Sequence, residues 1–386
     1  MHKRQPKYQQ VFAELEEGIL SGRYSPGQKL PSEAALLEEF GTSRITVVRA
    51  LRELQQRGLV QRRAGSGTYV TAGVPGRTGL LFGLLIPNLG ETEIFGPICQ
   101  SIAEVLQGQK HALLWGNMTP APAAEAKEAQ SLALCRQYLA QKVAGVFFSP
   151  LEWTPQNDQV NQAVVAVLEA ARIPIILLDR GLLPYPRRSP HDLVSIDHRR
   201  AGYLGTEHLV QLGCRRIVFL AYANSAPTIE ARVAGYQEAL LRAGVAFEPD
   251  LVQQLRSNDV REIAQLMQRF KPEALVCAND RTAGHVMRSL LELDYRIPRD
   301  VRIVGIDDVQ YASLLPVPLT TVHQPCRDLG IAAAAAMLER ITVPDLPPRD
   351  ILLDCRLVMR ESCGTPGSGP SNGGRPRTVN GNTREP

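Results

Sequence analysis

The chain has 386 residues, 44% of them hydrophobic, with 43 Lys plus Arg against 39 Asp plus Glu and a net charge of +4. No signal peptide opens it and no apolar run is long enough to span a bilayer, which excludes an integral membrane protein and leads us to expect a soluble one without a membrane partner. Seven scattered cysteines, an odd number with no Cys-x-x-Cys pair, exclude a disulfide framework or a cysteine zinc site and point to reduced thiols in a cytoplasm.

In chain order, Val11, Phe12, Leu15 and Ile19 recur at helical spacing while Glu14, Glu16 and Glu17 face away, which predicts an amphipathic helix from Tyr8 to about Leu20. Gly22 and Pro26-Gly27 stop it. Ser32 is placed to cap a second helix, with Glu33 favourable at its positive end and Leu36, Leu37 and Phe40 as its buried stripe. Gly41 ends that helix just before Arg44, the tight connection of a helix-turn-helix, and Ser43 is placed to cap the third helix. There Val47, Ala50, Leu51 and Leu54 face inward, and Arg44, Ile45, Thr46, Val48, Arg49 and Arg52 face outward. From Leu59 to Val70 the pattern is a two-stranded ribbon with a Gly65-Ser66-Gly67 tip. Residues 1–70 thus read as a winged helix-turn-helix DNA-binding domain.

Charge agrees. Residues 1–70 hold 11 Lys plus Arg against 7 Asp plus Glu and the remainder 32 against 32, so the whole positive excess lies in this head. An arginine near the start of the third helix forks onto guanine O6 and N7, and Ile45 or Thr46 packs on a thymine methyl. Arg62 and Arg63 at the base of the wing suit phosphates or a minor groove. Ser32, Ser43, Arg49, Gly65, Ser66, Gly67 and Thr68 complete the candidate DNA-contacting set. The Leu-Pro-Ser-Glu at 30–33, Ser-Arg-Ile-Thr-Val at 43–47 and Gly-Ser-Gly-Thr-Tyr at 65–69 resemble the GntR family of bacterial repressors. The resemblance implies operator binding as a dimer, with Arg44 and Thr46 on bases and Gly67 at the wing tip; it departs at Val48, where many relatives carry arginine.

Residues 71–78 mix glycine and proline without apolar period and read as a linker. Beyond them, short apolar runs alternate with helical patterns. The runs are Leu80 to Ile86, Ala112 to Trp115, Gly145 to Phe148, Ile175 to Leu178, Leu193 to Ile196, Ile217 to Ala221, Ala274 to Cys277 and Val301 to Ile306. Unbroken runs of this length fit parallel strands buried on both faces, and the repeated strand-helix units predict a doubly wound α/β body at 79–361, with ligands at the carboxyl ends of its strands. Four units up to about Asp179 are assigned to one lobe and those from about Leu193 to Asp307 to a second, with a cleft between and later segments crossing back. No dinucleotide or nucleotide-triphosphate loop occurs, and no cofactor is indicated. Residues 362–386 are almost free of apolar side chains and read as a disordered tail.

The segments Val194-Ser-Ile-Asp-His-Arg-Arg-Ala-Gly-Tyr203, Ala231-Arg-Val-Ala-Gly-Tyr236, Ala278-Asn-Asp-Arg-Thr-Ala283, Val304-Gly-Ile-Asp-Asp308 and Pro318-Leu-Thr-Thr-Val322 resemble the LacI family, whose effector domains are similar to periplasmic sugar-binding proteins. A GntR-like head on such a body is the arrangement of arabinose-type repressors. The resemblance implies effector contacts at Asp179, Arg232, Asn279, Asp307 and Gln324. Carboxylates, an amide and a guanidinium match the paired hydroxyls of a sugar. Phe95, Trp153 and Tyr222 are aromatic candidates to stack on a sugar face, and Asn88, Glu91 and Glu93 follow the first strand of the body. Asp280 is read as a cap of the helix after it and Asp308 as structural or a cap. His111, His198, His208, His285 and His323 lack metal spacing and read as core-edge or surface groups.

The expectation is a cytoplasmic, homodimeric transcription regulator, a repressor, that binds double-stranded operator DNA under control of a small sugar-like effector in the cleft, with no catalytic and no metal residues. Two alternatives stay open: a purine or phosphorylated corepressor, and a sugar-processing enzyme fused to a DNA-binding head.

Overall fold

A computed structural model describes residues 7–20, 23–25, 27–63, 66–71, 79–86, 93–116, 124–152, 157–223 and 227–364. Gly65, Asn88, Glu91, Trp153, the linker from 72 to 78 and the tail beyond 364 lie outside the described residues.

Three helices and a ribbon form the head: α1 (Lys7–Leu20), α2 (Glu33–Phe40), α3 (Arg44–Gln56), and the antiparallel pair β1 (Val60–Arg63) and β2 (Gly67–Val70). The helical spacing of the apolar residues produces one core, in which Val11, Leu15 and Ile19 meet Leu36, Val47, Ala50, Leu54, Val60 and Val70. Leu36 is fully buried, a contribution of about 1.5–3 kcal/mol for a side chain of this size. Ser32 caps α2, its Oγ accepting from Ala35 N at 3.2 Å, and Gly41 closes the helix in the left-handed region at φ 53°. Ser43 departs from expectation. It has the extended backbone of a cap, but its Oγ bonds Thr46 Oγ1 at 2.9 Å, because the Thr46 N–H is already taken by the Ser43 carbonyl at 3.0 Å.

The described chain divides into two compact units, one of residues up to Ile196 together with Pro325–Leu353, the other of Asp197–Gln324 together with residues from Asp354. Beside the head, the first unit contains β3 (Leu81–Leu85), α4 (Phe95–Gly108), β4 (Ala112–Trp115), α5 (Ala124–Ala140), β5 (Gly145–Phe148), α6 (Asn157–Ala170), β6 (Ile175–Leu178) and β7 (Asp192–Ile196). The second contains α7 (His198–Gln211), β8 (Ile217–Tyr222), α8 (Thr228–Arg242), β9 (Val252–Leu255), α9 (Val260–Phe270), β10 (Ala274–Cys277), α10 (Asp280–Glu292), β11 (Arg302–Asp307) and β12 (Thr320–His323). The chain then returns to the first unit for α11 (Cys326–Thr342) and β13 (Asp350–Leu353), and to the second for β14 (Arg356–Val358).

Each unit is an α/β layer structure around one sheet, of order β13-β7-β6-β5-β3-β4 in the first and β14-β12-β11-β10-β8-β9 in the second. All neighbours are parallel except β14, which runs antiparallel to β12. This is the doubly wound class that the alternating runs predict. Most strands are buried end to end, as Gly145–Phe148 and Ile175–Leu178 are. Edge strand β4 is not: Trp115 is half exposed.

Two assignments made from sequence are corrected. The run Leu193 to Ile196 does not open the second lobe: β7 pairs with β6, and the chain changes unit at Asp197. Apolar periodicity carries no information on which sheet a strand joins. Nor does the tail begin at Ser362. Ser362 and Cys363 have no exposed surface, and Ser362 Oγ donates to Ile303 O at 2.7 Å while accepting from Thr320 N at 2.8 Å.

Helices α7 and α8 cross at near backbone contact. A Cβ on Gly202 would stand 1.9 Å from Arg232 O, and one on Gly235 would stand 1.8 Å from Arg199 O, so only glycine permits this approach. No helix among the described residues is long and apolar enough to cross a membrane.

Candidate functional site

The outward face of α3 is open. Ile45 is 81% exposed, although it is an isoleucine, and Arg44, Arg49 and Arg52 are exposed beside it. Such exposure of a branched apolar side chain between arginines suits contact with base edges and thymine methyls. Off DNA the arginines are held by the head itself. Arg44 Nε donates to Glu33 Oε2 at 3.3 Å, Arg62 of the wing pairs with the other oxygen of Glu33, and Arg49 lies over the Tyr8 ring at 3.9 Å. Arg63 covers the Tyr69 ring at 4.6 Å, and Ser66 Oγ lies 2.6 Å from Tyr69 Oη. Gly67 has φ 120°, a conformation reserved for glycine at the wing turn. Ser32 and Ser43 are exposed at the starts of α2 and α3, and Thr46 is half-buried. Thr68 is a correction to the DNA-contacting set. It is 8% exposed, because alternation along β2 turns it inward with Val70.

In the second unit, the ends of β8, β10, β11 and β12 bring Tyr222, Asn279, Asp307 and Gln324 to one sheet edge. Three of the expected effector residues are joined there. Arg232 Nη2 lies 3.5 Å from Asp307 Oδ1, and Gln324 Nε2 donates to the same oxygen at 2.6 Å. Arg232 also donates to Ala278 O and, through Nε, to His198 Nδ1 at 3.3 Å, which requires the neutral ring with its proton on Nε2. All three are buried, and Gln324 Oε1 has no hydrogen-bond partner. Asp307 sits at φ 131°, an unusual angle for a residue with a side chain and a mark of functional sites. The set can donate from a planar cation and accept through a carboxylate and an amide oxygen.

The other expected contacts divide. Asn279 caps α10, its Oδ1 accepting from Thr282 N and Thr282 Oγ1, both at 2.8 Å, so only its amide nitrogen is left for a ligand. Asp280 is therefore not the cap expected from sequence. It is fully buried, with Oδ1 accepting from Thr321 Oγ1 at 2.5 Å and Oδ2 from Val309 N at 3.0 Å. A Cβ on Gly305 of β11 would stand 2.2 Å from that Oδ1, which accounts for the glycine. Burial raises the Asp280 carboxyl to about 6, reinforced by Asp308 and opposed by those hydrogen bonds and by Arg360. Asp308 is structural, holding Arg360 at 2.6 Å and His323 Nδ1 at 2.9 Å. Tyr222 bonds Asn258 and meets the His285 ring edge-on instead of joining the Arg232 set.

In the first unit, Asp179 ends β6 with φ 68° and is 7% exposed. Phe95, the first residue of α4, is buried at 1% exposure with the Arg180 guanidinium 5.8 Å from its ring centroid, so its face is covered by a cation here. Residues that sequence reasoning missed are His198, placed among bland histidines, and Ser149, Glu152 and Arg180. The adjacency of Arg180 to Asp179 after a predicted strand was the available signal. Among the described residues, no group of three or more His, Cys, Asp or Glu is placed to hold a metal ion.

Residues 7–70 match the model of the gntR family of bacterial regulatory proteins, and residues 206–363 match that of the periplasmic binding protein-like domain. The arabinose metabolism transcriptional repressor of Geobacillus stearothermophilus is 25% identical over 371 residues, which span 93% of this chain and 98% of that protein. The HTH-type transcriptional repressor PurR of Aliivibrio fischeri is 28% identical over 212 residues, 53% of this chain and 62% of that protein. Among solved structures, the lac repressor dimer bound to operator and the anti-inducer ONPF is similar with a TM-score of 0.60 and 26% identity, covering 74% of this chain and 95% of that one.

Proposed function

We propose that this chain, which joins a gntR-family regulatory domain to a periplasmic binding protein-like domain, is a sequence-specific transcription regulator, a repressor controlled by a small sugar-like effector. The reading rests on one coincidence within one polypeptide. An exposed arginine-rich helix face with Ile45 uncovered stands in the head, and a buried donor-acceptor set, Arg232, Asp307 and Gln324, stands at the carboxyl edge of a parallel sheet in the body. Names of full-length relatives support repression and make a pentose the first effector to try.

In this reading Arg44, Ile45, Thr46 and Arg49 meet the major groove, and Arg62, Arg63 and the wing tip meet phosphates. The protein acts in the cytoplasm as a homodimer, its two heads reading half-sites about one helical turn, roughly 34 Å, apart. Effector binding changes the spacing of the heads, and a misplaced head costs most of the specific contacts. The body binds its ligand without turning it over.

Selection of duplexes from a random library by the purified full-length protein, followed by fluorescence anisotropy with and without pentoses and hexoses, tests this. A selected site whose occupancy changes with one sugar is the expected result; selection of no site, or occupancy indifferent to every sugar, sinks it. Likeness to purine repressors over half the chain favours a second reading, a purine corepressor that promotes DNA binding. The sign of the ligand effect separates the two.

A further inference from the structure

The first unit carries a buried charged cluster outside the set implied by family resemblance. Glu152 follows β5, and Asp179 and Arg180 follow β6, so the three lie at the carboxyl edge of two adjacent parallel strands. Arg180 pairs with Glu152, and its Nε lies 3.5 Å from Asp179 Oδ2. Relative exposures are 4% for Glu152, 5% for Arg180 and 7% for Asp179. Ser149, directly after β5, is 1% exposed, and its hydroxyl has no hydrogen-bond partner. The loop that carries Glu152 is fixed in place, since Asn161 of α6 accepts from Leu151 N at 2.7 Å and donates to Leu151 O at 2.9 Å.

A cluster of this kind is a poor structural device. Packed apolar side chains would fill the same volume without the desolvation cost of three ionised groups, and a buried hydroxyl without a partner is a further cost. Buried charge and an orphaned hydroxyl coincide at the sheet edge where ligands of such folds bind, in a region of side chains suited to function.

We propose that Ser149, Glu152 and Arg180 are specificity-determining residues of the effector site and that they select a neutral polyhydroxy ligand over a phosphorylated one. The inference rests on the reading that the body holds a small effector. Adjacent hydroxyls both donate and accept, so one diol can meet a carboxylate, a guanidinium edge and the Ser149 hydroxyl together. Two carboxylates on one guanidinium leave the cluster at a net charge of −1. In a buried setting that charge opposes a phosphate dianion strongly.

The test is calorimetry on the full-length protein and on Ser149→Ala and Glu152→Gln, with a panel of neutral pentoses and hexoses and their monophosphates. Ser149→Ala deletes only an atom without a partner, so folding is unaffected, and affinity for the bound neutral sugar falls about threefold to tenfold. Glu152→Gln keeps the shape and removes one charge, weakening the neutral sugar about tenfold and narrowing its preference over the monophosphate. Ligand-free binding to the selected duplex, measured in parallel, is unchanged in both variants. Wild-type sugar affinity in both variants overturns the assignment. So does a monophosphate that binds the wild type more tightly than its parent sugar, or the failure of every neutral sugar to bind. Failure of the wild type to bind any selected duplex would instead refute the regulator reading, while the calorimetric comparison would still decide the ligand class.

Discussion

The Glu33 carboxylate accepts from Arg44 Nε at 3.3 Å, tying the first residue of α2 to the first residue of α3, and its other oxygen takes Arg62 from the wing. One negative charge therefore sits between two cations that would face DNA. The pair is exposed, so its worth to stability is small, at most about 1 kcal/mol. Its effect on binding is larger, because a carboxylate near the phosphates penalises every duplex alike, whereas a fixed Arg44 favours the right one. Glu33→Gln should tighten binding to random duplex and reduce the ratio of selected to random affinity, read by anisotropy across a salt series. An unchanged ratio would remove Glu33 from the recognition surface.

Arg44→Ala should cost about 1–3 kcal/mol of discrimination at one base pair while leaving weak, salt-sensitive binding in place. A gel shift with single-base variants of the selected site checks this, and equal losses on all sequences would reduce Arg44 to a phosphate contact.

Asp307 is the acceptor on which Arg232 and Gln324 converge. Asp307→Asn keeps the volume but removes the charge, and should weaken effector binding by about 2 kcal/mol, roughly thirtyfold, a typical loss for a charged hydrogen bond. Binding to the selected duplex should persist and cease to respond to sugar. Titration calorimetry paired with anisotropy gives both numbers, and a normal response would move the pocket elsewhere.

The close crossing of α7 and α8 sets the position of Arg232. Gly235→Ala would place a methyl 1.8 Å from Arg199 O, and separating the helices should cost about 1–3 kcal/mol or more. Because Arg232 rides on α8, effector affinity should fall with stability. Urea denaturation and calorimetry on the same variant test the link, and an unperturbed midpoint would contradict the packing described.

Burial raises the Asp280 carboxyl to about 6, whereas an exposed aspartate in the unfolded chain titrates near 4. The folded state therefore keeps a proton that the unfolded state has lost, and stability falls as pH rises from about 4 to about 6, then levels. Measured against Asp280→Asn, which does not titrate, the wild type should lose about 2–3 kcal/mol across that window. Parallel stability profiles for the two proteins would show that Asp280 is ionised throughout.

Much of this was readable in advance where the determinants are local. Cap, turn and apolar period lie within a few residues of one another, so Ser32, Gly41 and the inward face of α3 follow from the sequence alone. Non-local features were not legible. The pairing of β7 with β6 depends on residues far apart in the chain, and β13 and β14, half-exposed edge strands, lack the unbroken apolar run that marks a buried one. In Ala-Asn-Asp both polar residues are good caps, and only the packing of Thr321 and Val309 against the second decides that Asn279 takes the role. Glu152 and Arg180 carry no local signature, because their pairing is made by two different loops.

The return of α11 and β13 to the first unit has a consequence for biosynthesis. As the polypeptide leaves the ribosome, β7 emerges with its outer edge bare, and its partner at Asp350–Leu353 is translated only after every element of the second unit from α7 to β12. A bare edge strand invites association with other nascent chains. Chaperone demand should therefore peak late in translation and fall once residue 353 clears the exit tunnel.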